Sequence, residues 1–408
     1  MLLQLLACDP SPAWPDPKTV YPYVSSPEEL EPYEEVRWET ESWDPAVDLE
    51  ETGLYLQKSI QHRRGAPVES LEHFAQTLPE LPPVVEGDLR LSMVGDIMWV
   101  GENWEAFATP SAGLLDGDLR LGNLETPTVA GESTELTAHG TYAFNSDPLI
   151  LAALPVDLLQ LTNNHAWDLG DPGVEATKAA VAAAGYTQVG LDSQAEVEVQ
   201  GEKVALISYT WGLNQREVDS SHTFHIVPFG HVGDVDLSPL IAEIQAARAS
   251  ADLVVLMLHW GYEYEYYPDV KYMKMARELV AAGADVIVGS GPHVVQPPEL
   301  CWVNHPEVLP GVGSCSLSTE DGLPRRAAIF YSLGNFGTTM NTLPCQMGIV
   351  GTLSLNGRDV TGIGWSAAVT LREEGLPWTR PAAEVQDNAD VSLELERLRT
   401  HLGGQWER

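Results

Sequence analysis

The chain has 408 residues, 44% of them hydrophobic, which is enough for a sizeable core in one large domain or in two to three smaller ones. It carries 22 Lys and Arg against 59 Asp and Glu, a formal net charge of −37. Such a surface repels phosphate backbones and anionic lipid headgroups, so we expect no nucleic-acid partner. Solubility is the simplest explanation of the charge.

The first eight residues form a short apolar run that ends in Leu5-Leu6-Ala7-Cys8. This tetrad resembles a bacterial lipobox, so we expect an exported protein that is lipidated at Cys8 and anchored to the cell envelope. Seven residues without a positive charge are too few for a complete signal peptide. Either the true start lies upstream or the match is accidental. Since no run of about 18 apolar residues occurs, membrane contact is expected only through the lipid anchor.

Composition divides the chain into five segments. Residues 1–8 are predicted to be a partial lipoprotein signal, and residues 9–48, crowded with Pro, Glu, Ser and Trp, an acidic tether. Residues 49–86 mix apolar and charged positions, which predicts a short helical extension. The main domain covers 87–373, and residues 374–408 form a C-terminal tail.

Within the main domain, β-rich runs alternate with helical runs, which predicts βαβ units and a largely parallel sheet. The predicted strands are 89–94, 118–121, 156–161, 203–209, 252–258 and 284–289, and the predicted helices are 173–184, 238–249 and 270–282. Three further strands, 327–333, 349–355 and 361–371, follow without intervening helices. They suggest a second sheet packed on the first.

Three cysteines lie in the second half of the main domain, and their spacing matches no zinc motif with paired Cys-x-x-Cys ligands. Cys301 and Cys315 bracket a loop rich in Pro and Gly, so we expect a disulfide between them, which an exported compartment permits. Cys345 is left without an assigned role.

Polar residues follow the predicted strands at their carboxyl ends, the edge where open α/β sheets bind ligands. They are Asp96, Asn123, Glu125, Asn164, His165, Asp168, His259, Glu263 and His293. Together, carboxylates, amides and imidazoles suit Mn, Fe or Zn better than Mg or Ca. Such a site would activate water and polarise a phosphoryl oxygen. For Asp168 and Glu263, a helix cap or structural hydrogen bond is an equally good explanation.

Six motifs between residues 88 and 372 follow one another in the order seen in CapA proteins of capsule synthesis. They are Gly95-Asp96, Asn123-Leu124-Glu125, Asn163-Asn164-His165 with Asp168 and Gly170, His259-Trp260-Gly261 with Glu263 and Tyr264, Pro292-His293 with Gln296, and Tyr331-Ser332-Leu333-Gly334-Asn335-Phe336. The chain thus resembles this family, which includes a component of poly-γ-glutamate synthesis and is similar to metallophosphatases. The resemblance implies an α/β metallophosphatase-like layered sandwich with a largely parallel central sheet and additional C-terminal strands.

The resemblance also implies roles for individual residues. The implied ligands of a divalent transition metal are Asp96, Glu125, Asn164, His259 and His293. By the same likeness His165 protonates a leaving group or stabilises the transition state, and Asp168 orients it. The residues expected to contact substrate are Asn123, Glu263, Asn335 and Arg325.

Two positions depart from the related patterns. Met98 stands where metallophosphatases usually carry a histidine, and Gly291 stands where CapA proteins usually carry the first histidine of a His-Pro-His run. Because these changes remove donors, we expect at most one metal ion rather than two.

Two functions remain open from the sequence. One is a metal-dependent, phosphoesterase-like hydrolase of the envelope that acts on a small phosphorylated or polymeric substrate. The other is a non-catalytic protein that binds, guides or anchors a nascent capsule polymer. Either would work with capsule or other polymer-synthesis machinery. The pair Arg325-Arg326 is the best candidate for contact with an anionic polymer, although a solvated loop pair is the simpler explanation.

Overall fold

The computed structural model describes residues 31–33, 65–85, 87–136, 138–139, 143–215, 218–230, 234–306, 315–319, 321–340, 342–404 and 407–408. Cys8, the predicted lipobox and most of the predicted tether lie outside these residues. Within the described residues, no helix is long and apolar enough to cross a membrane.

The predicted elements between 89 and 371 are all present, each within a few residues of its predicted bounds. The strands among the described residues are β1 (Glu31–Tyr33), β2 (Gly65–Pro67), β3 (Leu89–Ile97), β4 (Leu119–Leu124), β5 (Leu158–Gln160), β6 (Thr187–Val189), β7 (Ala195–Val199), β8 (Glu202–Thr210), β9 (Leu253–His259), β10 (Val286–Ser290), β11 (Glu299–Val303), β12 (Ser316–Leu317), β13 (Arg325–Phe330), β14 (Asn335–Gly337), β15 (Met347–Asn356), β16 (Asp359–Glu373) and β17 (Leu376–Pro381). The α-helices are α1 (Val68–Thr77), α2 (Ile150–Ala153), α3 (Gly170–Ala183), α4 (Ser238–Arg248), α5 (Val270–Ala282), α6 (Leu343–Gln346) and α7 (Ala389–Leu402).

The strands of the main domain form two sheets. In the first, the order is β12-β11-β13-β10-β9-β8-β7, with parallel pairing from β13 to β8. In the second, the order is β17-β16-β15-β3-β4-β5-β6, with parallel pairing from β3 to β6 and β14 paired to β3. The predicted α/β class with parallel strands and added C-terminal strands is therefore confirmed. The parallel strands, however, divide between two sheets, and β15 to β17 extend the sheet that contains β3.

Side-chain alternation explains the layering of the sheets. Leu91 and Met93 of β3 share one core with residues of the other sheet, such as Val255 and Ile287. Val94 lies in a second core, together with Val174 of helix α3. Since successive side chains of a strand point to opposite faces, this sheet packs against its neighbour on one face and against helix on the other.

Strand β9 and helix α5 show how the sequence specifies these elements. Every residue of Leu253–His259 is buried, as expected of a parallel strand covered on both faces. Helix α5 begins where the side chain of Asp269 accepts a hydrogen bond from the backbone N–H of Lys271. It ends at Gly283, whose positive φ of 130° suits glycine.

Residues 374–408, which the sequence analysis set apart as a tail, contain two elements of the folded domain. Strand β17 pairs antiparallel with β16 at the edge of its sheet. Helix α7 buries Leu395, Leu398 and Leu402 in the core shared by both sheets. The described part of this segment therefore stabilises the domain.

Two smaller features bear on the predicted extension and on the cysteines. Within residues 9–48 and 49–86, β1 and β2 pair in parallel, and α1 follows β2 directly.

The structure joins Cys301 to Cys315 in a disulfide, which links β11 to the residue before β12. Cys345 is buried outside this bond.

Candidate metal centre

The carboxyl ends of strands from both sheets meet at one edge of the sandwich. Asp96 lies near the end of β3, Glu125 directly follows β4, and His259 is the last residue of β9. All three side chains are buried, and each offers a ligand atom within 4.8 Å of the others. His293, in the turn after β10, places Nδ1 3.3 Å from Asp96 Oδ2. The fold thus gathers carboxylates and imidazoles in a water-poor site.

Both carboxylate oxygens of Asp96 have hydrogen-bond donors. Oδ1 accepts a hydrogen bond from Asn123 Nδ2 at 2.7 Å, and Oδ2 accepts one from the Gly291 backbone N–H at 3.0 Å. Burial by itself would raise the pKa of Asp96, but the hydrogen bond with His293 and the nearby imidazoles outweigh it and lower the pKa to about 2. Asp96 is therefore an ionised, firmly held carboxylate.

Glu125 is in the opposite situation. Both of its carboxylate oxygens are buried, and neither has a hydrogen-bond partner among the described residues. Burial and the charge of Asp96 raise the pKa of Glu125 well above its usual value. Because a buried polar group without a partner is costly, its two oxygens mark the place where a cation fits.

His259 has the orientation of a metal-binding imidazole. Its Nδ1 lies 3.0 Å from Ser290 Oγ, and its Nε2 lies 3.5 Å from Glu125 Oε1. Asn123 Nδ2 also lies 3.2 Å from this Nδ1, so Nδ1 is held by two polar neighbours while Nε2 faces Glu125. Burial lowers the pKa of His259 to about 3, so the ring is neutral, as a ligand requires.

His293 adopts a left-handed backbone conformation (φ 59°), which is uncommon outside glycine. Its Nδ1 lies 3.1 Å from the side-chain oxygen of Asn335, whose amide nitrogen in turn donates to Cys345 O. Burial opposes protonation of His293, but Glu125 and Asp96 raise its pKa to about 10. The same nitrogen can therefore hold a proton or a metal ion between the carboxylates.

A second group lies beside the first. His165 Nδ1 is 2.6 Å from Asp168 Oδ2, and the ring stacks on Phe144 with centroids 3.9 Å apart. Asp168 also accepts hydrogen bonds from the Phe144 backbone N–H and from Gln215 Nε2. Asn163 connects the two groups, since its Nδ2 donates to Asn123 Oδ1 at 3.1 Å. The pair of His165 and Asp168 is thus a fixed, buried dyad.

The side chain of Asn164 has one acceptor without a partner in the described part of the chain. Its amide nitrogen donates to Asn214 Oδ1 at 3.2 Å, whereas its own Oδ1 is buried without a hydrogen-bond partner among the described residues. The unpaired acceptors of Asn164 and Glu125 match the oxygen donors that a divalent transition metal takes alongside imidazole. The residues present therefore fit such an ion.

The predicted substrate residues are placed differently. Asn123 and Asn335 hold Asp96 and His293, and half-buried Glu263 adds a charge that raises the pKa of His293. Arg325, which was expected to contact substrate, does not join them. It is the first residue of β13, at the amino end of the parallel strands and opposite to the site, and its buried guanidinium donates to Asp285 Oδ1 at 3.0 Å.

Sequence reasoning missed several residues of the site. Ser290 ends β10, and Asn214 and Gln215 come shortly after β8, all at the same carboxyl edge, so the rule that found Asp96 could have found them. Phe144 carried no such signal, because it comes from a long connection between β4 and β5.

The fold and the site define an α/β protein with a buried Asp, Glu and His group able to hold a metal ion. The sequence model of the family described as bacterial capsule synthesis protein PGA_cap matches residues 90–339. The chain therefore belongs to the bacterial capsule synthesis protein family.

Curated relatives carry related names. The chain is 29% identical over 195 residues to the PGA biosynthesis protein CapA of Bacillus subtilis, covering 46% of this chain and 44% of that protein. It is 27% identical over 274 residues to the capsule biosynthesis protein CapA of Bacillus anthracis, covering 61% and 59%. A probable polyglutamine synthesis accessory protein of Mycobacterium tuberculosis is 26% identical over 201 residues, covering 45% and 52%. The matches thus span about half the length of these relatives.

Two solved structures superimpose loosely on this chain, each with a TM-score of 0.38. One is a hypothetical protein from Thermus thermophilus, at 15% identity, covering 72% of this chain and 100% of that one. The other is the 5'-nucleotidase of Candida albicans, at 12% identity, covering 71% and 54%.

Proposed function

We propose that this protein serves the synthesis or export of a capsule polymer such as poly-γ-glutamate, and that its strand-end site works as a metal-dependent, phosphoesterase-like hydrolase. The observation that carries the proposal is the set of buried, unpaired oxygens on Glu125 and Asn164 beside the dyad of His165 and Asp168. Family membership and the names of the relatives support a role in the synthesis or export of a capsule polymer. The kinds of metal ligand in the site, carboxylate, amide and imidazole, support a metal-dependent hydrolase.

The proposed cofactor is one Mn, Fe or Zn ion, held by Glu125, His259 and Asn164 with Asp96 and His293 beside them. The oxygens of Asp96 already accept hydrogen bonds from Asn123 and Gly291, which leaves few free donors for a second ion. Met98 is buried and offers a thioether where an imidazole would be needed. This donor set supports a single ion.

The ion would supply a Lewis acid for a phosphoryl oxygen and a site for water. The protein's own residues do the remaining work. His165 protonates the departing oxygen through Nε2, because Asp168 accepts the hydrogen of Nδ1 and fixes the ring. Phe144 covers one face of that ring and excludes water from it. The dyad is what favours catalysis over simple polymer binding.

We also propose that the protein is exported, is anchored by lipid at Cys8, and acts with polymer-synthesis machinery at the envelope. The disulfide between Cys301 and Cys315 supports an oxidising compartment.

Complementation of a capsule-forming host that lacks the gene tests the proposal. The wild type should restore capsule, whereas Glu125→Gln and His165→Asn should not, although both proteins accumulate normally. The purified wild type with added Mn²⁺ or Zn²⁺ should hydrolyse a phosphodiester, slowly if the substrate is generic. Full complementation by His165→Asn would contradict a hydrolase and favour a polymer-binding role.

A further inference from the structure

The segment that follows β8 contacts both groups of the site. The Trp211 backbone N–H donates to His259 O at 3.0 Å, and the Asn214 backbone N–H donates to Asn164 O at 2.9 Å. The segment is therefore fixed at one end to the strand that carries a proposed metal ligand. At its other end it is fixed to the turn that carries the dyad.

The side chain of Asn214 bridges two neighbouring functional groups. Its Oδ1 accepts a hydrogen bond from Asn164 Nδ2 at 3.2 Å, and its Nδ2 lies against the imidazole of His165, 3.4 Å from Nδ1 and 3.3 Å from Nε2. Because the amide nitrogen of Asn164 is engaged by Asn214, the Asn164 oxygen is the atom left unpaired among the described residues. Asn214 thus decides which end of the Asn164 amide is available.

The same side chain also restrains the dyad. Asp168 Oδ2 lies 2.6 Å from His165 Nδ1, and the amide nitrogen of Asn214 lies about equally far from both ring nitrogens, so the two side chains together fix the position of the ring. Gln215, the next residue, donates to the remaining oxygen of Asp168 at 2.9 Å. Two consecutive amide side chains therefore hold the ligand amide, the imidazole and the carboxylate together.

We propose that Asn214 is a positioning residue that turns the Asn164 oxygen toward the metal and aims His165 Nε2 at the leaving group. The inference rests on the proposed function, since it assigns a task within that site. Hydrogen-bond partners of this kind commonly affect metal affinity or activity about 10–100-fold when they are removed. A residue that only anchored the loop would instead act through stability.

Two substitutions separate the two side-chain contacts of Asn214, the hydrogen bond with Asn164 and the contact with the His165 ring. Asn214→Ala removes both, so Mn²⁺ affinity should fall about tenfold or more and kcat about 10–100-fold, with KM nearly unchanged. Asn214→Asp keeps an acceptor for Asn164 but loses the amide nitrogen that contacts the His165 ring. Its Mn²⁺ affinity should stay close to that of the wild type while kcat falls.

Asn388→Ala serves as the stability control. Asn388 caps helix α7 through the backbone N–H groups of Asp390 and Val391, so its loss lowers stability without touching the site. Calorimetric titration with Mn²⁺, phosphodiester turnover and thermal melting are measured on all four full-length proteins. The inference would be overturned if Asn214→Ala bound Mn²⁺ as tightly as Asn388→Ala and had an equal or higher kcat.

NMR spectra of the metal-free proteins keep this outcome separate from failure of the proposed function. If the wild type neither binds metal nor turns over substrate, the proposed function fails, but the side-chain amide signal of Asn164 can still be followed. A shift of that signal in Asn214→Ala and not in Asn388→Ala supports positioning. An unchanged signal contradicts it.

Discussion

Gly291 donates its backbone N–H to Asp96 Oδ2 across 3.0 Å, from a turn in which its φ is +108°. A Cβ at this position would lie 2.6 Å from Trp260 O, a backbone atom that cannot move away cheaply. The turn therefore requires glycine. The position contributes a hydrogen bond to the site and leaves no room for a side-chain ligand.

Replacing Gly291 by histidine should consequently fail to add a metal ligand. We expect Gly291→His to lose about 1–3 kcal/mol of unfolding free energy and to bind less metal, because the turn that holds Asp96 must shift. Urea denaturation and elemental analysis measure both effects. Gly375→His is the matched control, since Gly375 also has a positive φ but no described atom within 4 Å of the place that a Cβ would take. A stable Gly291→His protein with raised metal content would refute this account of the turn.

Asp285 should be among the residues on which stability depends most. It is fully buried and accepts hydrogen bonds from Arg248, Arg325 and Arg358. Because Asp285→Asn leaves three guanidinium groups around a neutral amide, we expect a loss of about 3–5 kcal/mol with unchanged metal content per folded chain.

The control for Asp285 is Asp359→Asn, which breaks the more exposed ion pair with Arg326. Its cost should stay below about 1 kcal/mol. Equal effects of the two substitutions in chemical denaturation would show that burial does not set the strength of these pairs.

The sequence predicted those parts of the fold and site that depend on local pattern. The unbroken apolar run of β9 indicated a buried parallel strand, and the polar residue at its end, His259, marked the binding edge. The sequence suggested a second sheet, but the division of the parallel strands between two sheets could not be predicted, because alternation defines the faces of a strand but not its neighbours.

The errors have the same origin. Arg325 was expected at the surface, but its partner Asp285 lies 40 residues earlier in the chain, and such a pairing leaves no local signal. Strand β17 was missed because Pro377 and Pro381 argue against a strand. An edge strand tolerates proline, since one side of it needs no backbone donors.

His401 should make stability depend on pH. Its ring is buried against Tyr267, and burial together with the charge of Arg397 lowers its pKa to about 3. Below about pH 6.5 the unfolded chain binds a proton at His401, whereas the folded chain does not. The contribution of His401 to stability is therefore fully present above that pH and is lost as the pH falls below it. The slope should be about 1.4 kcal/mol per pH unit.

His401→Gln removes this titration and can still donate to Val295 O, as His401 Nε2 does. Between pH 6 and pH 4.5, the unfolding free energy of the wild type should therefore fall more steeply than that of the variant. The difference in slope should be about 1.4 kcal/mol per pH unit. Identical slopes for the two proteins would argue against a neutral, buried His401.

The disulfide between Cys301 and Cys315 should contribute measurably to stability. It closes a loop with a sequence separation of 14, for which the chain-entropy estimate is about 3 kcal/mol. The double variant Cys301→Ala with Cys315→Ala should unfold at a correspondingly lower urea concentration. Dithiothreitol should lower the urea concentration at which the wild type unfolds but should not change that of the variant. Insensitivity of the wild type to the reductant would count against this contribution.

Metal content of the purified full-length chain tests the central claim most directly. We expect about one Mn, Fe or Zn ion per wild-type chain, because the unpaired oxygens of Glu125 and Asn164 complete a single donor set within the described part of the chain. Glu125→Gln should lose most of that metal, whereas Glu394→Gln, which changes a buried glutamate in helix α7, should keep it. A wild type that binds no ion when Mn²⁺ or Zn²⁺ is supplied, or that holds two ions tightly, would contradict the account.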